Sequence, residues 1–471
     1  MLKRIAVFLV AALFAATALA QGKKRIEKAT DMPRFTYKVE GKLEDLVRDG
    51  KAFGRFAAQL QRDNQSVLDG YEIADKAAHR DLLGVQAQID FLAGRYAAAA
   101  RRAEEIRALE EKPAEKLISG LAIRTMVAAQ AKVGNITSEA YRQEVGKLVA
   151  AELAKHPYPV ISNDVKRYKS GAEIIGESLL LGGIRDRLQP VVDKAGGVLS
   201  SDFAPTIVGT RFALVARLPL KQTLIDTYGA YLAANQVEKP DIWAARDVEL
   251  PKDGKYSPVR IAIWDSGVDA PIFRDRLVLD GAGKPLFIAF DVYENPSKSE
   301  LMPIPAELRG RLPTMKSRMK GLSDLQSNVD SPEASEVKAA LSKLKKEEYK
   351  AVVEELGLAG NYSHGTHVAG IAMAGNPFAR LVNARLEFGY KLLPDPCPSR
   401  ELAEKNAKNM QAFVDFFRKN QVRVVNMSWG GTAKSVEGEL ELCGIGKTPD
   451  ERKKIAREYF DLGKKALADA I

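Results

Sequence analysis

The stretch N-Y-S-H-G-T-H-V-A-G, residues 361–370, decides how this chain is interpreted, because it sets a histidine among small residues. Ser363 is a good helix N-cap, and the residues after it suit a buried helix. These features predict that His364 lies in the first helical turn, where the positive end of the helix dipole disfavours the imidazolium. A neutral imidazole can act as a general base, although a buried histidine satisfied by one hydrogen bond is the plainer alternative.

Two apolar runs elsewhere in the chain also end in polar residues. They are R-I-A-I-W-D-S-G-V-D, residues 260–269, and R-V-V-N-M-S-W-G-G, residues 423–431. Short continuous apolar runs are typical of strands buried in parallel sheets. Because polar residues at the carboxyl ends of such strands face the crevice where ligands bind, the two runs and His364 predict one common site.

Together, these three segments resemble the subtilisin-like serine peptidases, or subtilases. The family's aspartate motif is met from Asp265 to Val268, its histidine motif H-G-T-H-V-A-G from His364 to Gly370, and its substrate-strand motif N-M-S-x-G from Asn426 to Gly430. Three motifs in the family's chain order, with the aspartate before the histidine, are a highly specific signal, whereas D-S-G-V alone would be weak.

The resemblance implies a role for each matched residue. His364 would be the general base, and Asp265 would accept the other imidazole N–H and stabilise the imidazolium. Ser428, Trp429 and Gly430 would line the strand that pairs with an extended protein or peptide substrate. The implied activity is that of a serine endopeptidase, with no cofactor required for the chemistry. No spacing of cysteine and histidine indicates zinc, and the family's calcium loops do not align clearly, so no metal ligand is assigned.

The family's nucleophile is not matched. No G-T-S motif occurs in the sequence, and the serines after His364 are Ser399, Ser428 and Ser435. The oxyanion-hole asparagine of the family is also missing, since Gly375-Asn376 is better interpreted as the C-terminal stop of the histidine helix. We therefore expect that the chain ends inside the catalytic domain and is inactive. Two alternatives to a serine endopeptidase remain. One is a catalytically silent peptide-binding protein, and the other is a purely structural helical protein, which would explain only the first half of the chain.

The N-terminus carries targeting features. Residues 1–20 combine Lys3 and Arg4, an apolar run and the small-residue end Ala18-Leu19-Ala20, which predicts a secretory signal peptide rather than a membrane anchor. The protein is then expected to be exported, to the periplasm or the medium if the source is bacterial, without a membrane span after cleavage. The formal charge of +10 falls to +8 without Lys3 and Arg4. No basic cluster is interleaved with aromatics, so nucleic acid is not an expected partner.

Composition and periodicity divide the rest of the chain. Residues 21–245 show helical spacing and predict a mainly α-helical domain. The segment around residues 92–113 resembles a tetratricopeptide unit, although a generic helical bundle fits the sequence equally well. The resemblance to subtilases, which commonly carry an N-terminal propeptide, implies that role for this region, and a domain that binds another protein is the alternative. Within it, residues 206–218 predict a strand. Residues 246–471 would form a partial subtilisin-like peptidase domain, entered through a turn-rich linker at residues 251–255.

Inside that second domain, strands are predicted at residues 259–264, 381–388 and 422–427, and a helix at residues 400–420. The stretch of about residues 295–356 is interpreted as a surface insertion that carries an exposed helix over residues 338–356. The predicted fold class is α/β, namely an incomplete subtilisin-like parallel sheet with flanking helices, preceded by the helical domain.

Two geometric predictions follow. Asp265 and His364 should lie within hydrogen-bonding distance of each other. Cys397 and Cys443, the only cysteines, are expected to form one disulfide around the substrate strand, although two free thiols would fit the sequence equally well.

Overall fold

A computed structural model describes residues 23–235 and 247–471. The predicted signal peptide, residues 1–20, lies outside the described residues. The N-terminal region, residues 23–235, is almost entirely helical, and the C-terminal region, residues 247–471, is built around a parallel sheet. No helix in these two ranges has the length and apolar character needed to cross a bilayer.

The N-terminal region consists of helices and two short strand pairs. Strand β1 (Lys24–Ile26) pairs in parallel with β3 (Tyr71–Ile73), and β2 (Thr36–Lys38) pairs antiparallel with β4 (Val198–Ser200). The helices are α1 (Leu43–Arg48), α2 (Gly50–Gly70), α3 (Lys76–Leu92), α4 (Tyr96–Ala108), α5 (Pro113–Ile118), α6 (Leu121–Val133), α7 (Glu139–Leu153), α8 (Tyr158–Ile174), α9 (Glu177–Gly182), α10 (Gln189–Lys194), α11 (Ala204–Phe212) and α12 (Lys221–Ala234).

The segment that resembles a tetratricopeptide unit is a helical hairpin. Helices α3 and α4 are joined by a turn at Gly94, whose φ of 75° favours glycine. Ala99 and Ala103 of α4 are fully buried, so the small residues allow close helix packing as the sequence predicted. A second copy of the repeat is not apparent in the sequence, and the assignment to that repeat class stays a prediction.

The strand predicted over residues 206–218 is wrong. Helix α11 covers Ala204–Phe212, and π-helical turns continue it to Arg217. The β-branched residues Ile207 and Val208 of this segment are completely buried in a cluster with helices α1 and α2. Burial against neighbouring helices overrides the modest strand preference of such residues.

The C-terminal region contains a sheet of four parallel strands. These are β5 (Val259–Asp265), β6 (Phe287–Ala289), β7 (Ala379–Arg385) and β8 (Val424–Asn426), in the spatial order β6-β7-β5-β8. Three of them lie where the apolar runs predicted strands. Because all four run in the same direction, their carboxyl ends meet at one edge of the sheet, and the predicted α/β class with a parallel sheet is confirmed.

The helices of this region are α13 (Leu312–Ser327), α14 (Pro332–Ser342), α15 (Tyr349–Met373), α16 (Arg400–Lys419), α17 (Ala433–Cys443) and α18 (Pro449–Ala470). Of these, α15 and α16 pack on opposite faces of the sheet. On one face, Ala369 and Met373 of α15 contact Ile261 and Ile263 of β5. On the other, Phe413 of α16 lies 4.7 Å from Trp264, centroid to centroid. Because side chains alternate along β5, Ile261 and Ile263 contact α15 whereas Trp264 contacts α16.

The segment interpreted as a surface insertion is partly buried. The exposed helix expected over residues 338–356 is instead the end of α14 and the start of α15, separated at residues 343–348. Val337 and Leu341 are buried with Tyr349, and Ile174 and Leu179 of the N-terminal region pack against this cluster. Apolar residues at helical spacing therefore join the two regions rather than face solvent.

The two cysteines form the predicted disulfide. Cys397 precedes α16 and Cys443 ends α17, and their Cα atoms lie 5.9 Å apart. The bridge closes a loop over a sequence separation of 46 residues that contains α16 and β8. The alternative of two free thiols is thereby excluded.

Candidate active site

Asp265 is the last residue of β5 and is completely buried. Its Oδ1 accepts a hydrogen bond of 2.7 Å from the backbone N–H of Ser266. Since the preceding residues Ile263 and Trp264 anchor the strand on both faces of the sheet, the carboxylate is fixed where the strand ends. A buried carboxylate needs such partners, because an unpaired buried charge is costly.

His364 does not lie in a first helical turn, and that prediction is wrong. Helix α15 runs unbroken from Tyr349 to Met373, so His364 is well inside it. Ser363 does not cap a helix, because its Oγ donates to the carbonyl oxygen of Ala359 at 2.8 Å. The helix dipole is strongest at the ends of a helix, and it therefore does not account for a neutral imidazole here.

The predicted contact between the two residues is confirmed. Nδ1 of His364 lies 2.7 Å from Oδ1 of Asp265. Because an ionised carboxylate only accepts hydrogen bonds, Nδ1 is assigned the proton and Nε2 keeps its lone pair. The His364 side chain is half exposed whereas that of Asp265 is inaccessible, so the imidazole connects a buried charge to solvent.

Two glycines allow helix α15 to approach the turn after β5. A Cβ atom on Gly365 would collide with the carbonyl oxygen of Gly267, and Gly267 itself has a φ of 105° that side chains rarely adopt. The backbone N–H of Gly365 donates to Ser266 Oγ at 3.1 Å. Thr366 Oγ1 accepts from the backbone N–H of Asp269 at 2.9 Å. The small and hydroxyl residues of both motifs therefore hold His364 against Asp265.

The predicted substrate segment follows β8 at the same edge of the sheet. Ser428 Oγ donates to Asn426 Oδ1 at 2.9 Å, and the Trp429 ring packs edge-on to Trp264 at 5.2 Å. Nothing lies within 4 Å of a Cβ built on Gly430. Val424 and Val425 are 48% and 40% exposed, so β8 is an open edge strand of the sheet.

The three serines after His364 are occupied elsewhere in the described residues. Ser399 caps helix α16 by accepting from the N–H of Leu402, and Ser435 forms part of the capping box of α17. Ser428 hydrogen-bonds to Asn426, as described above. None of them hydrogen-bonds to His364 in the described parts of the chain. The structure thus brings Asp265 and His364 together, and within residues 23–235 and 247–471 none of these three serines joins them.

Arg385, which ends β7 beside Asp265, was not among the residues predicted from the sequence motifs. Its side chain is fully buried; Nε donates to the carbonyl oxygen of Ser299 at 3.0 Å and Nη1 to Glu387 at 2.8 Å. Nearby, burial raises the pKa of Glu300, and the negative charge of Asp269 raises it further. The signal that could have found it is an arginine that closes a strand-length segment, A-R-L-V-N-A-R, residues 379–385.

No group of three or more histidine, cysteine, aspartate or glutamate side chains in residues 23–235 and 247–471 is arranged to hold a metal ion. An open groove of about 610 Å³ runs along α15. Its lining includes Ile272, His367 and Ile371.

Comparison with known proteins gives one match. Residues 257–456 match the family model described as the subtilase family, Peptidase S8. This stretch contains Asp265, His364 and the segment of Ser428–Gly430. No curated protein and no solved structure matches the chain.

Proposed function

Because residues 257–456 form a domain of the subtilase family of serine peptidases, we propose that this protein is an exported endopeptidase that hydrolyses peptide bonds through an Asp-His-Ser triad. Asp265 and His364 are two members of that triad. The observation that carries the proposal is the 2.7 Å contact between His364 Nδ1 and the buried Asp265 carboxylate. A buried carboxylate that orients a half-exposed imidazole is the arrangement a general base requires.

The chemistry of these two residues follows from the geometry. With Nδ1 protonated and bound to Asp265, the lone pair on Nε2 can take the proton of an attacking serine hydroxyl. The imidazolium that forms would be stabilised by the carboxylate 2.7 Å away. His364 would then return the proton to the leaving amine as a general acid.

The substrate is a protein or peptide in extended form. Its backbone would pair with the segment of Ser428, Trp429 and Gly430, where the free space above Gly430 leaves room for a side chain. The edge position of β8 supports this assignment, since an edge strand offers unpaired N–H and C=O groups. No cofactor takes part in the chemistry.

The nucleophile is the missing member. The sequence contains no G-T-S motif, and its serines after His364 are engaged in capping or in local hydrogen bonds. Without a serine no acyl-enzyme can form, so residues 21–471 are expected to be inactive. Its helical region of residues 23–235 would assist folding, block the site or bind another protein.

A second candidate function is a catalytically silent peptide-binding protein. A separate observation favours it, namely that no serine hydroxyl among the described residues hydrogen-bonds to the His364 ring. Such a protein would bind extended peptides at the Ser428–Gly430 segment but never cleave them. The two candidates differ in whether adding a serine restores covalent chemistry.

A fluorophosphonate probe separates the two. Residues 21–471 should stay unlabelled, whereas a fusion that supplies a subtilase serine segment and oxyanion asparagine after Ile471 should be labelled. His364→Ala in the fusion should abolish labelling, because the serine then lacks its base. A folded fusion that stays unlabelled would favour the silent binding protein, and labelling of the short chain at Ser399, Ser428 or Ser435 would contradict our assignment of the nucleophile.

A further inference from the structure

Arg385 and Asp265 are paired residues on neighbouring strands. Both are the last residues of their strands, β7 and β5, and they face each other in the parallel register. Paired residues of parallel strands project from the same face of the sheet. On this face Ile261, Ile263 and Leu381 pack against helix α15, so Arg385 and Asp265 both point to the side that carries His364.

The guanidinium of Arg385 is buried with an unusual set of partners. Its exposure is 0%, and its hydrogen bonds go to the carbonyl oxygen of Ser299 and to Glu387. In the described part of the chain, Nη2 of Arg385 and Oδ2 of Asp265 are both buried without a hydrogen-bond partner. A positively charged donor and a negatively charged acceptor on two neighbouring strand ends are thus left without a hydrogen bond.

Arg385 and Asn383 together hold the loop of residues 299–301. Asn383 Nδ2 donates to the carbonyl oxygen of Glu300 at 2.8 Å, and Arg385 Nε donates to that of Ser299 at 3.0 Å. The same Glu300 oxygen accepts from the backbone N–H of Val268 at 3.3 Å. Two side chains of β7 therefore tie this loop to the turn that follows Asp265.

The turn is closely packed on both sides. A Cβ on Gly267 would lie 2.5 Å from the Glu300 oxygen and 3.0 Å from Arg385 Cδ. On the other side Gly267 touches Gly365, the neighbour of His364. Because close-packed atoms transmit displacements to their neighbours, a shift of Arg385 would move the 299–301 loop, Gly267 and then helix α15.

From this geometry we propose that Arg385 is a positioning residue for the Asp265–His364 pair. It acts through the 299–301 loop, which sets how closely the turn after β5 approaches α15. The inference rests on the proposed function, in which that pair is the acid-base half of the triad. A positive charge alone does not perform this role, because the role depends on the two hydrogen bonds that the planar guanidinium donates to Ser299 and Glu387.

The test follows the Nδ1 proton of His364 by NMR in residues 21–471 labelled with ¹⁵N-histidine. The chain has four histidines, and loss of one signal in His364→Gln identifies it. Arg385→Gln, Arg385→Lys and Asn383→Ala should each speed solvent exchange of this proton about tenfold or more, because the contact with Asp265 opens more often. Arg380→Gln, which removes another arginine from β7, should leave it unchanged.

Circular dichroism establishes that each variant is folded. Unchanged exchange in a folded Arg385→Gln protein would overturn the proposal, as would parent-like exchange in Arg385→Lys, which would indicate a role for charge alone. If Arg385→Gln does not fold, Asn383→Ala decides, since it weakens the same loop without a change of charge. The measurement needs no nucleophile, so its outcome is independent of probe labelling. A parent protein without the His364 signal would contradict the Asp265–His364 pair itself.

Discussion

Strands β5 and β8 are neighbours that end at the same edge of one sheet, yet their ends differ. Asp265, at the end of β5, is inaccessible and is bound by Ser266 and His364. Ser428 and Gly430, beyond the end of β8, are exposed. The end to which the acid-base role is proposed is therefore fixed by the protein's own contacts, whereas the end to which substrate binding is proposed is open.

The two ends are also held by different means. The turn after β5 is held by close backbone contact between Gly267 and Gly365 and by short hydrogen bonds. The segment around β8 lies inside the loop closed by Cys397 and Cys443. A preorganised charge pair needs closely fitted neighbours, while a binding edge must keep its backbone groups free and can be restrained at a distance.

The largest expected effect comes from removal of the disulfide. Cys397→Ser with Cys443→Ser should lower the free energy of unfolding by up to about 4 kcal/mol, which the chain-entropy model assigns to a loop of this length. Urea denaturation measures the loss. The Nδ1 proton signal of His364 should persist, because the contacts at the end of β5 do not use this bridge. Unaltered stability, or loss of the His364 signal in the folded variant, would contradict the division between the two ends.

A smaller effect is expected from glycines on one helix. Gly365→Ala should destabilise the protein by about 1–3 kcal/mol, because the new methyl group meets the carbonyl oxygen of Gly267. Gly370→Ala is the matched control on α15, since nothing lies within 4 Å of its Cβ position. That control should stabilise the protein by up to about 1 kcal/mol through helix propensity. Equal changes in the midpoints of thermal unfolding would show that the close contact with Gly267 does not matter.

The smallest effect concerns Glu294, which follows β6 and accepts hydrogen bonds from Asn406 and Asn409 of α16. Burial raises the pKa of this carboxyl above its ordinary 4.5. Its contribution to stability is then fully present below pH 4.5 and is lost as the pH rises through the raised value. The stability of Glu294→Gln relative to the parent should therefore increase from about pH 4 to about pH 7.

Denaturation curves at both pH values test this, and Glu401→Gln on exposed α16 surface is the control. The hydrogen bond from Lys405 lowers the pKa of Glu401. The stability of Glu401→Gln relative to the parent should therefore fall as the pH rises, opposite to that of Glu294→Gln. A stability of Glu294→Gln relative to the parent that falls as the pH rises would show that the loop after β6 does not bury the Glu294 carboxylate.

The predictions from sequence succeeded where one local pattern had one structural outcome. The apolar run before Asp265 forms β5, and the helical spacing of Met410, Phe413 and Phe417 forms the buried side of α16. They failed where two patterns competed. Ser363 resembles an N-cap, but the residues from Tyr349 onward also favour helix, and α15 continues through it because its far end packs against β5.

The amino-acid sequence by itself determined the parallel sheet, the pairing of Asp265 with His364 and the position of the Ser428–Gly430 segment after a strand of that sheet. These depend on strand-length apolar runs and on motifs whose glycines permit close backbone approach. Only the tertiary structure decided that His364 lies inside a long helix, that residues 312–342 join the two regions and that Arg385 lies beside Asp265. These features arise from contacts between residues distant in the chain, and no local propensity encodes which distant partner a buried side chain will meet.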